Sequence, residues 1–530
     1  MSRGVILLCA AIGLTAGKAY AGPDPTPAER EAALFGDPEE EAPSTETSAS
    51  REDALFGEAD PPTSTSPPAT TTPFAAITDD PLAIGGRLYL RSLYSMDAES
   101  GALDGRLSTP ALLDLYLDAR PTSRLRAFAK ARLDRTFSAG AVGATPTDGL
   151  SDCLANLPET LAGPSPAAGE TDLANQLCPT PADTAGDNPF VSQERTRIRL
   201  DQLWLKFDVD RRIFVSVGQQ RIKWGAARLW NPTDFINAER LDPLAVFDAR
   251  LGVPLLKVHV PFEASGGNLY ALALFDQADR LESIGGALRV EWLLGPAEMT
   301  MSGTARKGSP LRLGADLSTG LGPFEVRVEG AVTHGGEQSR WTGELDFEQL
   351  GSQVASWIGG QSLAATEVAV PVREDRSDDW IPQVVGSLEW GIAYGDDETL
   401  YLTAEYFYNG GGYDETALYP WLILQGDYVP LYTGRHYVGG SVVAPRPGDW
   451  DDSTFLVSGI GNLSDGSYIA RFDYQHRALT KLTVFAFAAL HFGNEGEFNQ
   501  GFEVPALPGA PDLSVPAPFL DLGLLLSMDI

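Results

Sequence analysis

The sequence predicts an all-β fold, a transmembrane antiparallel β-barrel of about eighteen strands, preceded by a disordered acidic tail. Three observations predict it. A secretory leader opens the chain, yet no later run offers about 18 uninterrupted apolar residues, so no membrane-crossing helix is expected. From residue 84 onward, segment after segment alternates apolar and polar residues with the period of two that belongs to strands. The connections between these segments also sort by parity. Those near 95–110, 137–196, 223–250, 334–382, 409–434 and 493–518 are long and all odd-numbered, whereas the even-numbered ones are short. Membrane barrels show this asymmetry, with long loops outside and short periplasmic turns. A soluble sandwich has no reason to produce it.

The leader comprises residues 1–21. Arg3 supplies a basic start, Gly4 to Gly17 form the apolar run, and Ala19-Tyr20-Ala21 is a small-x-small cleavage signal. Cys9 lies inside it. Residues 22–80 hold 14 acidic residues against Arg30 and Arg51 and are rich in Pro, Ser and Thr, a composition that cannot bury a core. Within this tail, Arg30-Glu31-Ala32-Ala33-Leu34-Phe35-Gly36-Asp37 recurs as Arg51-Glu52-Asp53-Ala54-Leu55-Phe56-Gly57-Glu58. Leu34, Phe35, Gly36 and Leu55, Phe56, Gly57 read as docking motifs for a periplasmic or inner-membrane partner. Chance duplication in a low-complexity segment is the alternative reading.

Residues 81–530 form the barrel domain. Strands are expected near 84–94, 111–120, 125–133, 197–209, 211–222, 251–262, 268–276, 284–294, 297–307, 311–318, 324–333, 383–394, 399–408, 435–444, 453–461, 466–474, 480–492 and 519–530. In the second, Leu113, Leu115, Leu117 and Ala119 oppose Asp114, Tyr116, Asp118 and Arg120. In the third, Ala127, Ala129, Ala131 and Leu133 oppose Arg126, Phe128, Lys130, Arg132 and Asp134. A charged face beside an all-apolar face suits a wet lumen and a lipid exterior. Lumen-lining candidates are therefore Asp114, Tyr116, Asp118, Arg120, Arg126, Lys130, Arg132 and Asp134, with Arg289, Glu291, Glu325, Arg327 and Glu329 further along. Opposite charges on adjacent strands are expected chiefly to neutralise each other. The Arg126–Lys130–Arg132 ladder is the best candidate for attracting anions. Tyr94, Trp204, Trp292, Tyr394, Tyr408 and Tyr437 lie near strand ends and fit interfacial girdles.

In the last strand, Leu520, Leu522, Leu524, Leu526, Met528 and Ile530 share one parity. Asp521, Gly523, Leu526 and Met528 resemble the C-terminal assembly signal of outer-membrane barrels, although such chains commonly end in an aromatic residue and this one ends in Ile530. The resemblance implies recognition by the barrel assembly machinery and a place in outer-membrane lipid, with both termini periplasmic.

Val217-Gly218-Gln219-Gln220-Arg221-Ile222-Lys223-Trp224-Gly225, followed by Asn231-Pro232-Thr233-Asp234, resembles a stretch in porin-like outer-membrane proteins of a poorly characterised family. That resemblance implies a barrel with a channel-like role and gives no substrate. Loop 223–250 carries Lys223, Arg228, Asp234, Glu239 and Arg240. Folded into the lumen, it would narrow the pore and set a transverse field; an ordinary surface loop is the alternative. Phe347, Leu350, Val354, Trp357 and Ile358 fall at helical spacing and predict a short helix over 345–358.

Cys153 and Cys178 lie in one long polar connection, and export makes a disulfide between them the expected state. No cofactor or metal is expected, because the five histidines are scattered without ligand spacing. No nucleophile motif or phosphate-cradling loop occurs, so the chain does not read as an enzyme. A net charge of −33 argues against nucleic acid as a partner. The expected function is a porin-like channel for passive passage of small solutes. The alternatives are an export or lipid-transfer barrel recruited through its tail, or a closed barrel whose outer loops adhere. A homo-oligomer stays open, since no interface can be read.

Overall fold

The computed structural model describes residues 82–530 apart from 98–104, 123, 138–195, 238, 247–249, 263–265, 336–338, 344–370, 395–397, 426, 500, 505–512 and 516. The tail with both Leu-Phe-Gly motifs, Cys153, Cys178 and the expected helix at 345–358 lie outside the described residues.

The strands are β1 (Leu82–Asp97), β2 (Pro110–Thr122), β3 (Leu125–Thr136), β4 (Thr196–Val209), β5 (Ile213–Gln220) and β6 (Val253–Phe262). They continue with β7 (Gly267–Leu274), β8 (Gly285–Leu294), β9 (Ala297–Ala305), β10 (Leu311–Leu321), β11 (Phe324–His334) and β12 (Trp380–Tyr394). The last six are β13 (Glu398–Asn409), β14 (His436–Pro445), β15 (Ser453–Asn462), β16 (Ser467–Leu479), β17 (Leu482–Gly493) and β18 (Pro518–Asp529). A short segment, Arg106–Ser108, pairs with β1 directly ahead of β2, so the nineteen-stranded sheet is a barrel of eighteen staves. One helix, α1 (Tyr419–Gln425), lies in the β13–β14 connection.

Every stave pairs antiparallel with its sequence neighbours, and β1 pairs with both β2 and β18. The sheet therefore closes and leaves no edge. Closure is reinforced where Arg87 on β1 meets Asp529 on β18 at 2.6 Å, and Gly86 and Ile530 exchange backbone hydrogen bonds. An even number of staves puts the start of β1 and the end of β18 at one rim, with the short turns.

The burial pattern is the reverse of a soluble protein's. Leu115, Leu203, Met301, Val328, Leu388, Val457, Leu522 and Leu524 are exposed. Asp114, Asp201, Glu291, Glu329, Glu389 and Glu405 are buried. Apolar side chains face outward and charged ones inward, which fits hydrocarbon outside and a polar interior. Loss of water from the exterior is tolerated because every backbone amide of a closed barrel finds a partner in the ladder.

One irregularity re-aims side chains. The register of β3 against β4 shifts between Lys130 and Ala131, so that Asp201 and Gln202, adjacent in sequence, are both buried. This is a β-bulge, with one extra residue on β4. Before it Arg197 and Arg199 share the inward parity; after it Trp204 does. Trp204 is buried, stacks on Phe128 at 5.4 Å and donates to Gln202. Tyr437 is also fully buried. Neither belongs to an interfacial girdle, in contrast to the sequence expectation. Aromatic residues that do face outward include Trp380, Trp390 and Tyr406.

Candidate functional site

The connection 221–252 leaves β5 and turns into the barrel. Its base is built on Asp234. This carboxylate accepts from the Trp224 amide at 3.4 Å, from Asn237 Nδ2 at 2.9 Å and from Arg250 Nη1 at 2.7 Å. Asn237 Nδ2 also donates to the Ile222 carbonyl at 2.6 Å. Asp234 thus joins the two legs of the loop. Trp224, Phe235 and Ile236 pack with Leu255, Tyr270 and Leu272 of β6 and β7. Gly314 on β10 leaves room for the loop: a Cβ there would lie 2.7 Å from Thr233 Cγ2.

Two carboxylates on the opposite wall grip the loop backbone. Glu329 on β11 accepts from the amides of Ala226 at 2.9 Å, Ala227 at 3.3 Å and Thr233 at 2.7 Å, and from Thr233 Oγ1 at 2.8 Å. Glu405 on β13 accepts from the amides of Arg228 at 2.6 Å, Leu229 at 2.9 Å and Trp230 at 3.4 Å. Consecutive amides that point the same way form a concave nest suited to an anion, and here the barrel wall supplies the anion. Between the two grips, Arg228 pairs with Glu389 on β12 at 3.2 Å. Arg327 pairs with the same Glu389 at 3.3 Å and with Glu325.

Beyond the grips the loop continues across the lumen. Trp230 is fully buried between Phe407 and Tyr437 and donates its Nε1 to the Leu431 carbonyl at 3.2 Å. Arg240 lies over the Tyr432 ring at 5.4 Å, and Tyr432 donates to the Leu241 carbonyl at 3.4 Å. Arg471 on β16 donates to the Leu244 carbonyl. Val246 packs on Tyr89, Leu112 and Leu525 from β1, β2 and β18. The connection that leaves β5 therefore reaches across to β11–β14 and on to the seam of the barrel. Lys223 and Glu239 are half-buried on the same loop.

The wall formed by β2–β4 carries the charged ladder. Arg126 pairs with Asp118 at 3.0 Å, and Arg120 meets the same carboxylate at 3.0 Å. Arg132 pairs with Asp114 at 2.8 Å. Lys130 bridges Asp114 at 2.9 Å and Asp201 at 3.1 Å. Arg221, the first residue of the loop, pairs with Asp201 at 3.0 Å. Arg199 reaches Asp134 at 3.3 Å. Tyr116 stacks on Phe128 at 6.1 Å. Each cation of the Arg126–Lys130–Arg132 ladder thus contacts a carboxylate. As arranged, the cations of the ladder and the carboxylates of this wall compensate one another.

Several residues that organise the site were not singled out from the sequence. Glu389 and Glu405 lie on the inward parity of expected strands, and the same alternation that exposed Glu329 could have found them. Asp201-Gln202 carries a subtler signal, two adjacent polar residues that break the parity of β4. The grips on loop backbone leave no trace in sequence, because amides do not depend on residue type.

Of the assembly-signal residues, Leu526 and Met528 lie on the outward parity, and Asp521 accepts from His491 Nε2 at 3.2 Å. Gly523 is covered by Phe487 from β17: a Cβ there would lie 1.9 Å from the ring.

No family model and no curated protein sequence matches this chain. Among solved structures it is similar to OpdK of Pseudomonas aeruginosa crystallised with vanillate, at 11% identity, covering 84% of this chain and 98% of that one with a TM-score of 0.42. It is similar to OccK9 (OpdG) of Pseudomonas aeruginosa, at 11% identity, 84% and 98% coverage and a TM-score of 0.43. It is likewise similar to OccAB1 of Acinetobacter baumannii, at 10% identity, 84% and 96% coverage and a TM-score of 0.44.

Proposed function

We propose that the protein is an outer-membrane channel for passive passage of small water-soluble solutes, narrowed by the inward loop 221–252. Barrels of about 16–18 strands are wide enough for an aqueous path. The observation that carries the reading is the double grip of Glu329 and Glu405 on loop backbone. A barrel that only needed filling could use apolar side chains. Holding a connection across the lumen by charged acceptors positions it and keeps polar groups beside it, as a constriction requires. The charged wall of β2–β4 faces the interior as well and would keep a path along it wet.

Conductance in planar bilayers tests this. Purified barrel should insert and give discrete current steps. A variant with residues 226–246 replaced by a short Gly-Ser linker should give larger steps. Inserted barrel that passes no ions in either form would overturn the channel reading.

A further inference from the structure

Leu431 stands between the constriction loop and a half-buried carboxylate. Its backbone is left-handed, with φ of 68°, a conformation costly for a leucine. Two contacts hold it there. Its amide donates to Glu497, in the β17–β18 connection, and its carbonyl accepts from Trp230 Nε1 at 3.2 Å. Glu497 also accepts from Tyr437 Oη at 2.5 Å and from Asn462 Nδ2 at 2.9 Å. The same Asn462 Nδ2 donates to Asp465 at 2.8 Å, and the Glu497 amide donates to Asp465 at 2.9 Å. Two carboxylates therefore share one side-chain amide.

The groups facing this pair are Tyr419 on α1, Tyr428 in the β13–β14 connection, Tyr437 on β14, and Asn462 and Ser467 at the β15–β16 turn. Among the described residues, neither Asp465 nor Glu497 has a cationic partner. Burial, with Asp465 adding to it, pushes the Glu497 carboxyl up to about 7.

We infer that Glu497 is a proton-operated clamp on the constriction loop, acting through the strained residue Leu431 and Trp230. The sign follows from linkage. An acid whose folded value is raised binds more protons folded than unfolded, so its contribution to the clamped state falls as pH rises between its ordinary value and about 7. Below about 7 Glu497 is protonated and the cluster holds Leu431. Above about 7 an ionised Glu497 is disfavoured in its site beside Asp465, and its departure toward water removes the acceptor that holds Leu431 in its left-handed state. Release of Leu431 frees the Trp230 indole, which anchors the middle of the constriction loop.

The conductance arm of the test rests on the channel reading; the exchange arm does not. Hydrogen exchange of residues 427–435, corrected for its intrinsic pH dependence, is measured on the full-length barrel in detergent from about pH 5 to about pH 9. Exchange should rise severalfold with a midpoint near 7. Glu497→Gln, which cannot ionise, should abolish the pH dependence of exchange. Asp465→Asn should move the midpoint downward, which a merely structural role for Glu497 would not produce. Bilayer current of the unaltered barrel should rise, or flicker more, over the same range. Flat exchange in the unaltered barrel, or an unchanged midpoint in Asp465→Asn, overturns the clamp. A pH-dependent exchange with no current at any pH leaves the clamp standing and counts against the channel.

Discussion

Asp201 has no exposed surface and meets three cations: Lys130 at 3.1 Å, Arg221 at 3.0 Å and Arg132 at 3.6 Å. Burying that many charges is tolerable only while they compensate one another. Removing the carboxylate leaves cations facing one another in a confined interior. Asp201→Ala should therefore cost about 3–5 kcal/mol, read as a lowered Tm of the folded barrel in detergent. An unchanged Tm would mean that lumen water screens the cluster. Other residues show how tightly the wall is fitted. A Cβ at Gly218, whose φ is 126°, would lie 2.1 Å from the Leu203 carbonyl oxygen of the paired strand. Gly218→Ala should thus disturb the β4–β5 pairing and lower the yield of heat-modifiable folded barrel.

At the scale of elements, the loop 221–252 and its grips form one unit. Hydrogen bonds to a charged acceptor contribute roughly 1.5–3 kcal/mol each, and Glu329 and Glu405 together accept seven from the loop. The double variant Glu329→Gln, Glu405→Gln keeps the shape but weakens both grips, and an amide end leaves one acceptor oxygen rather than two. Single-channel conductance should increase on the order of twofold, with added current noise as the loop moves. Conductance equal to that of the unaltered barrel would show that the Trp230–Phe407–Tyr437 packing holds the loop without them. Either single variant should have the smaller effect, because the other grip remains.

For the whole molecule, the decisive contact is the seam between β1 and β18. Leu526 and Met528 lie outward on that last stave, and a charge at such positions is costly in a depth-dependent way, up to about 2–4 kcal/mol for basic residues and less for acidic ones. Leu526→Asp with Met528→Asp should block assembly, seen as loss of the heat-modifiable band from outer-membrane fractions; normal insertion would count against the assembly signal. Much of the barrel was legible beforehand. The expected eighteen segments coincide with the eighteen staves to within a few residues at each end. Ends were less clear: β5 stops at Gln220 where alternation ran to Ile222, because from Arg221 the chain leaves the sheet to enter the lumen. The site was less legible still. In the sequence Asp234 is one loop charge among several, and its work of tying both legs of the loop depends on Trp224, Asn237 and Arg250 of the same loop folding back onto it.

The class of fold, the faces of the strands and the rim at which long loops gather can all be read along the chain. These follow from local rules: a period of two sorts side chains to two faces, and an even count of strands returns the chain to its starting rim. Three features emerge only in the folded barrel: connection 221–252 turns inward, the ladder of β3 is compensated by Asp114, Asp118 and Asp201, and Leu431 is held between Glu497 and Trp230. Those outcomes join residues as far apart as Arg228 and Glu405 through backbone amides and a bulge-shifted register. Such contacts depend on which strands close against which, and periodicity along one strand carries no record of that.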